Sequence, residues 1–183
     1  GVYDHSEVWI NGHFVGGRPY GYSSFECALT PRLRFGADNL LAVRVDHSRF
    51  ADSRWYTGSG IYRPARLRLT EKLRIAQWGI YLTTPEVSPE TAIVRVETIL
   101  ENETGQARDA SLLTEILDPD GRVVASLASP GSVQDSVPQT LVQQIRLPQP
   151  RLWSPDSPAL YTLRSRLSAA ETVVDETTTP FGV

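Results

Sequence analysis

Apolar and polar residues alternate along most of this chain, and no stretch longer than about two turns carries the three-to-four-residue spacing of an amphipathic helix. Period two is the signature of a half-buried β-strand, so the pattern predicts an all-β fold. Ser6–Ile10 reads as a strand, and Asn11-Gly12 follows it. That dipeptide suits a two-residue hairpin, because both central positions of a type I′ turn need positive φ. His13–Gly16 is then the returning strand, and Gly17–Ser24 (GRPYGYSS) an irregular loop rich in glycine, proline and tyrosine. Phe25–Leu29 reads as a further extended piece, ended by Thr30-Pro31. A turn at Gly36–Asn39 leads into Leu40–Asp46, where Leu41, Val43 and Val45 share one face. Alternation lapses from His47 to Gly60 and resumes over Ile61–Leu69, with Pro64 pointing to an edge or a bulge.

A second series of strands begins after a boundary placed at Thr70–Lys72. Its members are Leu73–Leu82, Ala92–Glu101, Ser111–Asp118, Arg122–Leu127, Gln139–Leu147, Ala159–Leu167 and Thr172–Thr178. Asp118–Gly121 is a clear turn, while 83–90 and 128–138 read as polar loops. Seven short strands at this spacing are the expectation for an immunoglobulin-like sandwich without the disulfide of antibody domains.

Composition removes several function classes. The formal net charge of −3 offers no basic excess for a phosphate backbone, so no nucleic-acid partner is expected. No long apolar run suggests a membrane partner. Cys27 is the single cysteine, and His5, His13 and His47 are scattered, so neither an internal disulfide nor a metal site is signalled. The start, Gly1-Val2-Tyr3, shows no leader pattern, and the chain contains no methionine. The native polypeptide is therefore expected to begin earlier, and the compartment, whether bacterial cytoplasm, periplasm or secreted, stays open.

Three segments, taken in order, carry more information than any one alone. They are SEVWING (Ser6–Gly12) with GRPYGYSSF (Gly17–Phe25), then SRWYTGSGIYR (Ser53–Arg63), then LWSPDSPALYTL (Leu152–Leu163) followed by PFGV (Pro180–Val183). In this arrangement the chain resembles the non-catalytic N-terminal part of family 2 glycoside hydrolases, closest to their β-galactosidase branch. The resemblance implies that residues 1–71 are the C-terminal part of a galactose-binding-like jelly-roll, with an immunoglobulin-like sandwich over 72–183. It also implies that a catalytic barrel of the same polypeptide is the partner and a β-galactoside-type carbohydrate the ligand. The family's two catalytic glutamates lie on barrel strands, so no catalytic residue, metal or cofactor is expected in this chain.

The residues have physical readings of their own. Gly58, Ser59 and Gly60 permit a tight turn. Trp55 and Tyr56 bring large apolar faces to it, and the Arg63 fork can donate to a carboxylate or a backbone carbonyl. The resemblance implies that Arg54, Trp55 and Arg63 serve the interdomain contact. Trp153 is expected to plug the second sandwich, with Pro155 and Pro158 stiffening the turn after it. Asn102-Glu103 mimics the family's acid/base dipeptide, yet it falls in a polar turn between sandwich strands and reads as solvated. The better binding candidate is the loop 17–24: Tyr20 and Tyr22 could stack on a pyranose face while Arg18 donates to its hydroxyls. An ordinary surface loop is the alternative. If the first sandwich lacks strands, one apolar face of residues 1–70 should stay uncovered. Two functions follow as expectations: an accessory region of a retaining exo-glycosidase, or a free-standing carbohydrate-binding or adhesion module.

Overall fold

In the second half of the chain the predicted alternation becomes seven antiparallel strands in two facing sheets. The computed structural model describes residues 1–48 and 56–183. They divide into two compact units, Gly1–Arg68 and Leu69–Val183. Among the described residues the only helical turn is a 3-10 turn at Thr30–Arg32, so the fold is all-β.

The first unit holds five strands: β1 (Val2–Tyr3), β2 (Ser6–Ile10), β3 (His13–Arg18), β4 (Leu41–Val45) and β5 (Gly60–Ile61). β2 lies between β3 and β4, and β1 pairs with β5. The hairpin forms as the dipeptide requires, with Asn11 at φ 51° and Gly12 at φ 82°. Asn11 also anchors the return of the chain: its amide donates to Arg32 O and Asn39 Oδ1 at 2.9 and 2.8 Å. Its carbonyl oxygen accepts from Leu40 N at 3.0 Å. The register places Leu41, Val43 and Val45 opposite Ile10, Val8 and Ser6, so the three share a face as predicted.

Two extended pieces depart from expectation. Phe25–Leu29 keeps an alternating exposure but joins no ladder, and of the Ile61–Leu69 region only Ile61 lies in a strand, β5. Pro64 cannot donate to a ladder, and Leu67 and Leu69 are 72% and 85% exposed. Among the described residues of this unit Val2, Val8 and Ile10 are the buried apolar ones, whereas Phe14, Leu40 and Leu41 are exposed. The described residues of the unit therefore leave much apolar surface uncovered.

The second unit contains β6 (Leu73–Val87), β7 (Thr91–Asn102), β8 (Arg108–Leu117), β9 (Val123–Val133), β10 (Gln139–Pro148), β11 (Tyr161–Ala169) and β12 (Thr172–Phe181). One sheet has the order β10-β7-β6 and the other β12-β11-β8-β9. The turn at Asp118–Gly121 is closed by Gly121 N to Asp118 O at 2.9 Å, with Gly121 at φ 81°. Strands β6 and β9 run several residues into the stretches expected as loops, because β7 and β8 continue alongside them. Strand β6 is interrupted between Ile75 and Ile80, where Trp78 adopts φ 54° and stands 63% exposed.

The core between the sheets is layered. One apolar cluster contains Val94, Val96, Ile116, Ile145, Leu147, Tyr161, Leu163 and Phe181. A second contains Leu73, Ile75, Leu100, Leu112, Val133 and Leu167. Between them β7, β8, β10 and β11 each contribute one buried polar side chain: Thr98, Thr114, Gln143 and Ser165. Thr114 Oγ1 donates to Gln143 Oε1 at 2.6 Å, and Gln143 Nε2 donates to Ser129 Oγ at 2.9 Å. A buried amide of this kind is tolerated because its hydrogen bonds are made within the protein. At the side of the sandwich Asp175 accepts from Ile75 N at 2.9 Å, tying β12 to β6.

Trp153 does not plug this core. It is 48% exposed, in a non-strand segment where no inward alternation operates. Its N–H donates to Val183 O at 2.7 Å, and its side chain lies against Gly182. Tyr161 takes the inward place, 3% exposed and 5.7 Å from the Phe181 ring, with its hydroxyl accepting from Arg151 N at 2.8 Å. The turn after Trp153 is closed by the paired Ser154–Ser157 backbone bonds, as the flanking prolines suggest.

Candidate functional site

The loop proposed for binding begins later than its sequence implies, because Gly17 and Arg18 belong to β3. Ser6, buried on β2, fixes that point: its hydroxyl donates to Arg18 O at 3.1 Å and accepts from Arg18 N at 3.2 Å. From there the Arg18 guanidinium reaches across the loop, its Nε donating to Ser23 Oγ at 2.8 Å. The two Nη groups are then the donors of Arg18 best placed for a further acceptor.

Tyr20 and Tyr22 are 60% and 45% exposed, with ring centroids 5.6 Å apart and planes at 62°. They form an angled pair rather than a flat platform, so one ring can present a face while the other presents an edge. The pair is the outer end of a longer aromatic run: Tyr22 lies 5.4 Å from Tyr3, and Tyr3 lies 4.9 Å from His47. His47 Nδ1 in turn sits 2.9 Å from Ser59 Oγ. The three residues named from sequence, Arg18, Tyr20 and Tyr22, are thus brought together at one place. Tyr3 and His47 were not foreseen: Tyr3 sits on β1, paired with β5, and His47 follows β4, so both come from parts of the chain distant from the loop.

Gly21 explains why this loop needs glycine. A Cβ at Gly21 would stand 2.2 Å from the Tyr3 ring. From the other side Tyr62 Oη donates to Gly21 O at 2.8 Å, and Arg63 Nη1 approaches Tyr22 O at 3.4 Å. The Arg63 guanidinium lies over the Tyr62 ring, 5.1 Å from its centroid. The Arg63 fork thus addresses a backbone carbonyl, one of the two acceptors expected for it. Gly60 is at φ 118°, which a side chain would resist, but it lies in β5 paired with Tyr3 rather than in the tight turn expected of it. Arg54 and Trp55 lie outside the described residues.

The Asn102-Glu103 dipeptide is structural. The Asn102 side chain, 1% exposed, is buried rather than solvated: Nδ2 donates to Gln106 O and Val133 O at 2.9 and 2.8 Å, and Oδ1 accepts from Thr104 N at 3.0 Å. It was misjudged because its turn is polar in sequence, while the end of β9 closes over it. Glu103 and Glu101 both pair with Arg74, at 2.7 and 2.8 Å. The hydrogen bond from Arg74 holds the Glu103 carboxyl below the usual carboxylate range. A retaining glycosidase needs one carboxyl protonated near neutrality and another about 5–5.5 Å away. Arg74 works against that protonation, so this convergence is an ion-pair cluster on the surface.

What the fold defines is an all-β chain with a seven-stranded sandwich and a smaller unit bearing an exposed aromatic loop. The model of the glycosyl hydrolases family 2 matches residues 74–183, and the chain belongs to that family. The β-galactosidase BoGH2A of Bacteroides ovatus is 41% identical over 183 residues, all of this chain and 22% of that protein. A β-glucuronidase of Formosa agariphila is 28% identical, over 97% of this chain and 20% of its own length. The solved structure of a family 2 member from Bacteroides cellulosilyticus superposes with a TM-score of 0.95 at 35% identity, covering all of this chain and 25% of that one. The chain thus spans about a fifth to a quarter of the length of these proteins.

Proposed function

We propose that this chain is a non-catalytic accessory region of a retaining exo-glycosidase that acts on β-galactosides, the barrel elsewhere in the polypeptide supplying both carboxylates. Residues 1–71 are read as part of a jelly-roll sugar-binding domain and residues 72–183 as an immunoglobulin-like spacer. The observation that carries the reading is a pairing. The chain is similar along its whole length to a β-galactosidase five times longer. Its own close carboxylates at Glu101 and Glu103 are consumed by Arg74.

In this reading the angled Tyr20–Tyr22 pair meets the apolar face of a sugar, and Arg18 donates to its hydroxyls. The barrel protonates the glycosidic oxygen, forms the glycosyl-enzyme ester and hydrolyses it with retention. The sandwich contributes rigidity: its two apolar clusters hold a framework on which the loop and the barrel keep their places.

The test is a pair of measurements. In the complete polypeptide that carries this chain, Tyr20→Ala combined with Tyr22→Ala should raise KM for p-nitrophenyl β-D-galactopyranoside roughly tenfold or more. The isolated chain, titrated with methyl β-D-galactopyranoside, should show no saturable binding below the millimolar range. Unchanged KM in the double variant removes the loop from the sugar site. Tight unaided binding would favour a free-standing carbohydrate-binding module instead.

A further inference from the structure

Tyr62 and Arg63 stand some forty positions from the loop 17–24, yet their side chains end on it. We propose that Tyr62 and Arg63 are positioning residues that set Tyr20 and Tyr22 for the sugar; this rests on the sugar-binding reading of that loop.

The argument begins with what the loop lacks. After Arg18 it leaves the sheet, and residues 19–24 make no ladder. A short segment without a ladder keeps its shape only through contacts from elsewhere. Some of those contacts lie at its start, where His5 N donates to Pro19 O at 3.2 Å and Arg18 Nε to Ser23 Oγ at 2.8 Å. Those on Gly21 and Tyr22 come from the two-stranded pairing of β1 with β5 and the residues after it. Val2 faces Ile61 and Tyr3 faces Gly60. Immediately after β5, Tyr62 N and Arg63 N both point to Gly1 O, at 3.2 and 3.4 Å. The backbone on which the two side chains sit is therefore itself tied down.

Three side chains then reach the loop from this base. Tyr3 lies edge-on to Tyr22 and fills the space beside Gly21 that a Cβ would need. The Tyr62 hydroxyl donates to Gly21 O at 2.8 Å, and Gly21 is buried at that point. Arg63 reaches Tyr22 O while its guanidinium lies over the Tyr62 ring, so each braces the other. The hydrogen bonds fall on Gly21 and on the Tyr22 carbonyl, between and beside the two exposed rings, while Tyr3 meets the Tyr22 ring from one side. They leave the Tyr20 and Tyr22 rings open to solvent, at 60% and 45% exposure. A purely structural clamp would gain most by burying those rings; this one holds their backbone and leaves the faces free. Holding a binding pair in its bound shape before the ligand arrives lowers the entropy lost on binding.

The test uses two independent routes. Tyr62→Phe removes one hydroxyl and keeps the ring under Arg63. Gly21→Ala keeps Tyr62 and Arg63 and drives the loop against Tyr3. Hydrogen exchange on the chain should show loop 19–24 exchanging roughly five- to tenfold faster in each variant, with β7 and β11 unchanged. In the complete polypeptide, KM for p-nitrophenyl β-D-galactopyranoside should rise by a similar factor at constant kcat, the pattern of lost uniform binding. Exchange of the loop at the unmodified rate in both variants overturns the proposal, whatever the kinetics. Faster exchange with no change in KM also overturns it, provided that Tyr20→Ala with Tyr22→Ala does raise KM. If that double variant leaves KM unchanged, the sugar-binding reading is what fails, and the exchange data alone decide whether Tyr62 and Arg63 hold the loop.

Discussion

Replacing Asn102 by aspartate alters one terminal group of a side chain, yet it should be among the costliest conservative changes in the second unit. The Asn102 amide donates to two carbonyls, Gln106 O at 2.9 Å and Val133 O at 2.8 Å, from a position 1% exposed. In Asn102→Asp both donors become acceptors that face those two carbonyls. Val133 is buried, and its carbonyl left without this donor costs about 1–3 kcal/mol. Gln106 is exposed, and its carbonyl keeps the Thr104 hydroxyl at 3.0 Å. A carboxylate at 102 adds an unpaired charge. The expected loss is about 3–5 kcal/mol, a large share of the ~5–15 kcal/mol that holds a domain together. Urea unfolding followed by far-ultraviolet circular dichroism would measure it, as a lower midpoint at unchanged slope. The sign with pH is also fixed. Burial beside carbonyls raises the folded-state pKa of the new carboxyl above its unfolded value of about 3.9. The deficit is therefore greatest at neutral pH and narrows as pH falls and the protonated carboxyl regains one donor. A shift of under about 1 kcal/mol at pH 7 would refute the reasoning, because it would mean that the buried Val133 carbonyl does not depend on Asn102.

Leu163→Ala, at a site 1% exposed in the first apolar cluster, should cost about 2–5 kcal/mol by the same unfolding assay. Trp153→Ala should cost less than that despite its larger loss of volume, since half of the ring is already in solvent. Thr98 Oγ1 is buried without a hydrogen-bond partner among the described residues, so Thr98→Val should be neutral or stabilising by up to about 1 kcal/mol. Glu103 has a depressed folded-state pKa, so its pairing with Arg74 contributes above the unfolded carboxylate value of about 4.3 and is lost as pH falls through the folded value. Because Glu103 is exposed, Glu103→Gln should remove this pH-dependent part at a cost below about 1 kcal/mol.

Local chemistry made the turns readable. Asn11-Gly12 and Asp118–Gly121 formed where positive φ and side-chain acceptors require them. Alternation located all seven strands of the sandwich, because each has one face against a core. It failed where a ladder needs a partner from afar: Ile61–Leu69 has the right period, but of that region only Ile61 pairs. It also failed at Trp153, whose size suggests a core residue but whose segment is not a strand. The polar layer of Thr98, Thr114, Gln143 and Ser165 could be seen only after registers aligned those four strands. At the candidate site, residue type singled out Arg18, Tyr20 and Tyr22, since exposed aromatics beside a guanidinium suit a sugar. Tyr3, Tyr62 and Arg63 reach the same loop through strand pairing across some sixty residues, which no local pattern encodes.

The account stands most directly on whether this chain carries any hydrolytic chemistry of its own. Incubating the purified 183-residue chain with p-nitrophenyl β-D-galactopyranoside across pH 5–8 should release nitrophenol only at the rate of a protein-free control. Saturable release that disappears when Glu101 or Glu103 is changed to glutamine would contradict it.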